Sequence, residues 1–238
     1  MKRNILLLTA FLLMTTSLQA FEPPRMHPTD RFIVTPFTDL WQNSPDNMDL
    51  RTIQRGVNIS LLQDMSLGRS NFSIAAGLGF TSHNLYSDHF YLFDPANEQY
   101  DFFPITADYD KNKLSLNYLN VPVQIRFRSR ELNNTFRLYA GIKVGYLINA
   151  HTKYDGEMRY PNFDTICDGE LDLLWGTRTR KFKEHDLNNL YDWHISLTAM
   201  IGYGRVNFQM YYPLNNMFKD NSVEEMLPIS LGLSVIVF

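Results

Sequence analysis

The chain of 238 residues holds one cysteine, Cys167. No disulfide can close within it, so covalent staples play no part in its fold. Cys167 reads as an ordinary loop residue, although in an exported protein a lone thiol can pair with another chain. A large excess of one charge is also missing. The formal net charge is −3 at pH 7, which removes the basic excess expected of a nucleic-acid binder. Beyond the first twenty residues no apolar run approaches the roughly 20 residues that a membrane helix needs. Taken alone, the mean hydropathy of −0.25 suggests a soluble protein. That inference fails for a membrane barrel, in which half of every strand faces inward and stays polar.

Chemical signatures are sparse as well. His194 and Ser196 share one face of one strand candidate, and His151 precedes them. Nucleophilic catalysis needs a base within hydrogen-bond reach of the nucleophile and a third group to orient it. A Ser/His spacing of this kind is not diagnostic, so the chain is not read as an enzyme. Asp108-Tyr109-Asp110 lacks the spaced oxygen ligands of a calcium loop and reads as a solvated turn. No residue set calls for a metal or cofactor.

What the sequence does contain begins with residues 1–20. Lys2 and Arg3 precede an apolar stretch from Ile5 to Met14, and small and polar residues follow, ending at Ala20. This is the pattern of a signal peptide, and residues 21–238 are then expected to form one domain.

That domain alternates apolar and polar side chains in stretches of about ten residues, joined by very short turns and long polar loops in turn. Phe72, Ile74, Ala76, Leu78 and Phe80 form one face of such a stretch, with Ser73, Ala75, Gly77 and Gly79 between them. Eight strands are expected, over 31–41, 56–65, 72–86, 113–129, 135–154, 191–203, 205–214 and 227–238. The faces of the first cannot be assigned by polarity, because Phe32, Val34 and Pro36 oppose Ile33, Thr35 and Phe37. In the fourth, Leu114, Leu116 and Tyr118 lie on one parity, whereas Leu119, Val121, Val123, Ile125 and Phe127 lie on the other. One extra residue near Tyr118, a β-bulge, would produce this phase change. Pro122 cannot donate to a ladder and is expected to sit with that bulge.

The connections at 66–70, 129–134 and 203–205 are tight. Those at 42–55, 87–111, 155–189 and 215–225 are long and polar. The expected fold is an all-β, eight-stranded, antiparallel up-and-down transmembrane β-barrel, with short turns toward the periplasm and long loops outside. Outward aromatics should gather at the strand ends, where rings with a polar handle favour the membrane interface. Phe72, Phe127, Phe136 and Tyr203 fall at the short-turn end, and Tyr86, Tyr154, Trp193 and Tyr212 at the other. Inward glycines (77, 79, 141, 145, 202 and 232) suit a narrow lumen; Phe238 lies on the inward parity and does not fit. A soluble lipocalin-like barrel would instead bury apolar residues inward.

The inward charges are the first candidates for function. Arg126, Arg128, Arg137 and Lys143 lie on neighbouring strands, with Asp64, Asp192 and His194 as counterparts. They could form an anion path or proton relay. At eight strands, however, the interior is just filled by side chains, which favours a plug of mutually paired groups. The 155–189 loop runs from acidic (Asp168, Glu170, Asp172) to basic (Arg178, Arg180, Lys181, Lys183). It reads as a hairpin pairing its own charges, and also as a surface for a partner.

At the fourth and fifth strands, Tyr118-Leu119-Asn120-Val121-Pro122-Val123 and the run from Leu138 to Leu147 resemble motifs of the PorT-like outer-membrane β-barrel family, as does the closing run from Leu231 to Phe238. The resemblance spans about residues 113–238. It implies a small, non-enzymatic outer-membrane barrel, some of whose relatives serve protein secretion. The expectation is therefore a structural or accessory component of the outer membrane that contacts its lipid and meets envelope or secretion proteins through the 155–189 loop. A small pore is the alternative, and a lipid-modifying barrel enzyme is a more distant one.

Overall fold

In the computed structural model, the described residues are 30–45, 48–68, 70–94, 99–105, 108–129, 135–161, 175–185, 187, 189–219 and 226–237. They form eleven strands: β1 Phe32–Gln42, β2 Arg55–Ser66, β3 Phe72–Leu85, β4 His89–Asp94, β5 Gln99–Pro104, β6 Tyr109–Arg128, β7 Phe136–Pro161, β8 Trp175–His185, β9 Trp193–Tyr203, β10 Val206–Pro213 and β11 Leu227–Ile236. The proposed leader, Cys167 and Phe238 lie outside the described residues.

Eight of these strands close a barrel. The sheet order is β6-β3-β2-β1-β11-β10-β9-β7, and β6 pairs with β7 to complete the ring. Every pairing is antiparallel. Closure removes the free edges that would otherwise recruit other chains. Short connections join β2 to β3, β6 to β7 and β9 to β10. In the last of these Gly204 adopts a φ of +68°, which costs a residue without a Cβ almost nothing.

Along the wall, burial alternates as the sequence predicts, with the apolar set outside. Leu119, Val121, Val123 and Ile125 are exposed, whereas Asn120, Gln124, Arg126 and Arg128 are buried; Ile125 is 60% exposed and Arg126 0%. A soluble lipocalin-like barrel would show the reverse. Phe72, Phe127 and Phe136 stack along the short-turn rim, with centroids 5.2 Å and 6.5 Å apart, and Tyr146 meets Trp193 near the long-loop rim at 5.2 Å. Tyr154 corrects the expected aromatic belt, being buried inside; Tyr86 keeps the outward parity but is covered by Arg51 and Lys113.

The faces of β1 are settled by its neighbours. Phe37 points inward because its ladder partners are Gly56 on β2 and Gly232 on β11. A Cβ on Gly56 would fall 2.1 Å from the Phe37 ring, so the ring occupies the space that the glycine leaves.

The expected bulge in β6 is corrected in one respect. Even-numbered residues of β6 remain buried from Asn112 to Arg128, so β6 keeps its phase. The register shift opposite Asn117 and Tyr118 puts the extra residue on β7, where Asn117 pairs with Asn149 but Tyr118 with Leu147. Below it Arg137, Tyr139 and Lys143 face inward; above it Ala150, Thr152 and Tyr154 do. Leu114, Leu116 and Tyr118 look out of phase because they face an apolar interior rather than lipid. Pro122 does not sit at the bulge. The β3–β6 ladder lapses between Ala76↔Val123 and Gly79↔Asn120 without changing register, which absorbs the missing N–H.

The long connections carry structure of their own. Residues 87–111, read from sequence as a loop, include the β4–β5 hairpin. Within 155–189, β7 extends to Pro161 and pairs with β8 from His151↔His185 to Pro161↔Trp175, the two arms of the expected hairpin; Asp168, Glu170 and Asp172 lie outside the described residues.

Candidate functional site

The barrel interior has three levels. At the short-turn end, Asp30 and Asp64 face three arginines. Asp64 accepts hydrogen bonds from Arg126 at 3.1 Å, Arg128 at 2.9 Å and Ser73 at 3.2 Å. Asp30 accepts two from Arg137, at 2.9 Å and 3.1 Å, and one from the Tyr139 hydroxyl. Arg126 also donates to Gln124 and to the Asp30 carbonyl, and its guanidinium lies 4.7 Å from the Tyr139 ring centroid. Buried guanidinium groups are tolerated only when paired and fully hydrogen-bonded in this way.

The middle level is polar, with Asp39 and Lys143 set among hydroxyl, amide and imidazole groups. Asp39 is buried, 3.0 Å from His83 Nδ1, and accepts the Ser230 hydroxyl at 2.6 Å. Lys143 donates to Thr81 at 3.3 Å and lies 4.0 Å from the Tyr211 ring centroid. Thr81 in turn bonds Asn58 and Asn120. His194 packs against His83 and Tyr118, with centroids 5.9 Å and 5.4 Å away.

The long-loop end is closed by an apolar lid. Trp41, Leu85, Leu114, Leu116 and Tyr118 from the wall pack with Met48, Tyr91, Phe102, Leu190, Met217, Phe218 and Met226 from the loops and the β4–β5 hairpin. Phe218 is central, with the rings of Tyr91, Phe102 and Trp41 at 5.4, 6.0 and 6.4 Å.

Of the charges predicted to face the lumen, Arg126, Arg128, Arg137, Lys143 and His194 are buried there. Asp192 is the exception: it is exposed just before β9, and its carbonyl accepts the Leu147 N–H. The paired acids inside are Asp30, Asp39 and Asp64. Asp30 and Asp39 went unread because β1 gave no polarity signal. Asp39 falls on the parity of Phe37 and Trp41, and Asp30 precedes the strand. His194, Ser196 and His151 do not assemble a catalytic set. His194 Nδ1 and the Ser196 hydroxyl have no hydrogen-bond partner, and His151, beyond the bulge, bonds Asn149. Asp108 and Asp110 are exposed, and among the described residues no group of His, Cys, Asp or Glu is arranged to hold a metal.

A family model described as outer membrane protein beta-barrel domain matches residues 33–219, well over half of the chain. No curated protein and no solved structure matches the chain.

Proposed function

Because the chain belongs to the outer membrane protein β-barrel domain family, we propose that it serves in the outer membrane as a closed, non-enzymatic accessory barrel. In this reading residues 1–20 direct export, and the protein acts through its outward face, in protein secretion or surface interaction. The PorT-like motifs of β6, β7 and β11 support the secretion branch. The β7–β8 hairpin is the surface offered to envelope or secretion partners.

The observation that carries this reading is the filling of the lumen. Arginine–aspartate pairs occupy one end, and an apolar lid made by all the long connections covers the other. A water-filled pore needs an open polar path, and an eight-stranded barrel has room only for its own side chains. The purified protein should therefore give no steady conductance in planar bilayers, and Phe218→Asp, which puts a charge into the lid, should give intermittent openings. A steady open channel in the unaltered protein would overturn the proposal in favour of a pore. Crosslinkers placed on Lys183 of β8 should capture envelope proteins that crosslinkers on the short-turn rim at Ser66 do not.

A further inference from the structure

Above the wall, β6, β7 and β8 continue as a three-stranded sheet. Its register sets Lys113 opposite Lys153, and Lys153 opposite Lys183. Asn112, Leu114, Thr152 and Tyr154, at the alternate positions, are buried, whereas Lys153 and Lys183 are exposed. The three lysines therefore share the outer side of the sheet, the side that lower down carries Leu119 and Val121.

Directly opposed like charges destabilise a sheet, and here two such pairs are adjacent. Side chains opposite one another lie about 5 Å apart at Cβ, so the three lysines spring from a span of about 10 Å. Burial, then Lys111, Lys153 and Lys183, hold the Lys113 amine below its ordinary pKa. Lys113 is nonetheless fixed in place. It donates to Asn84 at 2.8 Å and lies 5.9 Å from the Tyr86 ring centroid, with Arg51 on the same ring at 5.5 Å. Asp155 sits one row further out, opposite Lys111 and Lys181, and no acid stands in the lysine row. A row of like charges held by its own sheet is complementary to a polyanion.

Its height selects the polyanion. From Leu119 to Lys113, six residues at about 3.3 Å each, tilted by about 40°, set the row about 15 Å beyond the lipid-facing surface along the barrel axis. A phospholipid headgroup layer is only about 6 Å deep on each side. Phosphates carried on the sugars of an outer-leaflet glycolipid reach higher, beside the wall. We propose that Lys113, Lys153 and Lys183, extended by Arg51 across the Tyr86 ring, form a binding site for the phosphorylated sugar region of such a glycolipid. The site rests on the outer-membrane placement proposed above and names the lipid contact it would make.

The test uses the full chain folded in neutral detergent and titrated by native mass spectrometry with rough lipopolysaccharide carrying core phosphates. The same lipopolysaccharide dephosphorylated with aqueous hydrofluoric acid is the control. The unaltered protein should prefer the phosphorylated form by about tenfold, and K113Q/K153Q/K183Q should lose that preference, as expected for several exposed ionic contacts acting together. K113R/K153R/K183R should keep it. Heat-modifiable migration certifies each variant as folded. If the triple glutamine variant does not fold, K153Q/K183Q, altered only at exposed positions, carries the test with a smaller loss. Equal binding of the two lipopolysaccharides, or undiminished preference in the glutamine variants, would overturn the site. Displacement by inorganic phosphate at constant ionic strength would overturn the glycolipid assignment. Any of these failures would leave the outer-membrane placement standing, since that is read separately from where the protein fractionates in the cell.

Discussion

Replacing Asp64 by alanine tests whether the barrel interior is held by its charges. Asp64 is 4% exposed and accepts from both Arg126 and Arg128. Without it, Arg128 retains Asp30 at 3.7 Å, whereas Arg126 keeps only the neutral oxygens of Gln124 and the Asp30 carbonyl. Removing one partner of a buried ion pair costs about 3–5 kcal/mol, because the remaining charge stays desolvated. Asp64→Ala should therefore lower the free energy of folding into phosphatidylcholine vesicles by about that much. Urea titration followed by tryptophan fluorescence measures this, with heat-modifiable migration as the check on closure. Arg126→Met in the same chain removes the stranded charge. The double variant should be more stable than the sum of the two single changes predicts, by more than about 1 kcal/mol. A value for Asp64→Ala within about 0.5 kcal/mol of the unaltered protein, the range of an ordinary surface substitution, would refute the reasoning and imply that water reaches the cluster.

Two further expectations probe the wall. Gly56→Val should destabilise the barrel by about 1–3 kcal/mol through overpacking against Phe37, and Phe37→Ala in the same chain should recover part of the loss in the same titration. Val123→Arg, midway along the outward face of β6, should cost about 2–4 kcal/mol if that face meets hydrocarbon; Asn117→Arg, above it, should stay within about 0.5 kcal/mol. Equal costs at the two positions would contradict the assigned membrane level.

The eight wall strands and the lengths of their connections were legible in the sequence, because an alternation of period two survives wherever one face meets lipid and the other a filled lumen. It failed where the environment on one side changed along a strand. In β6 the inner side turns from polar to apolar at Tyr118, where the lid begins, and the shift in apolar parity mimicked a bulge that belongs to β7. Tyr154 was assigned outward because that bulge shifts the parity of β7 by one residue beyond Leu147. β1 was unreadable because the size of Phe37 is matched by glycines on two other strands, a relation that only the closed sheet creates. Parity placed Arg126, Arg128 and Asp64 on the inner face, but their pairing reaches across β3, which separates β6 from β2, and only the closed sheet shows it. Asp192 was misplaced because inward parity was carried one residue too far, past the end of β9.

The lid has a consequence for how the outer surface can vary. Loops on a barrel are ordinarily free to change independently. Here each gives up apolar residues to one shared cluster, and bridges join Leu50 to Ser87 and Leu190 to Phe218 across separate connections. An insertion or exchange in one loop is therefore felt by the others, and the exterior acts as a single platform of fixed relief. Substitutions that keep its buried anchors can repaint that platform, but they cannot easily reshape it.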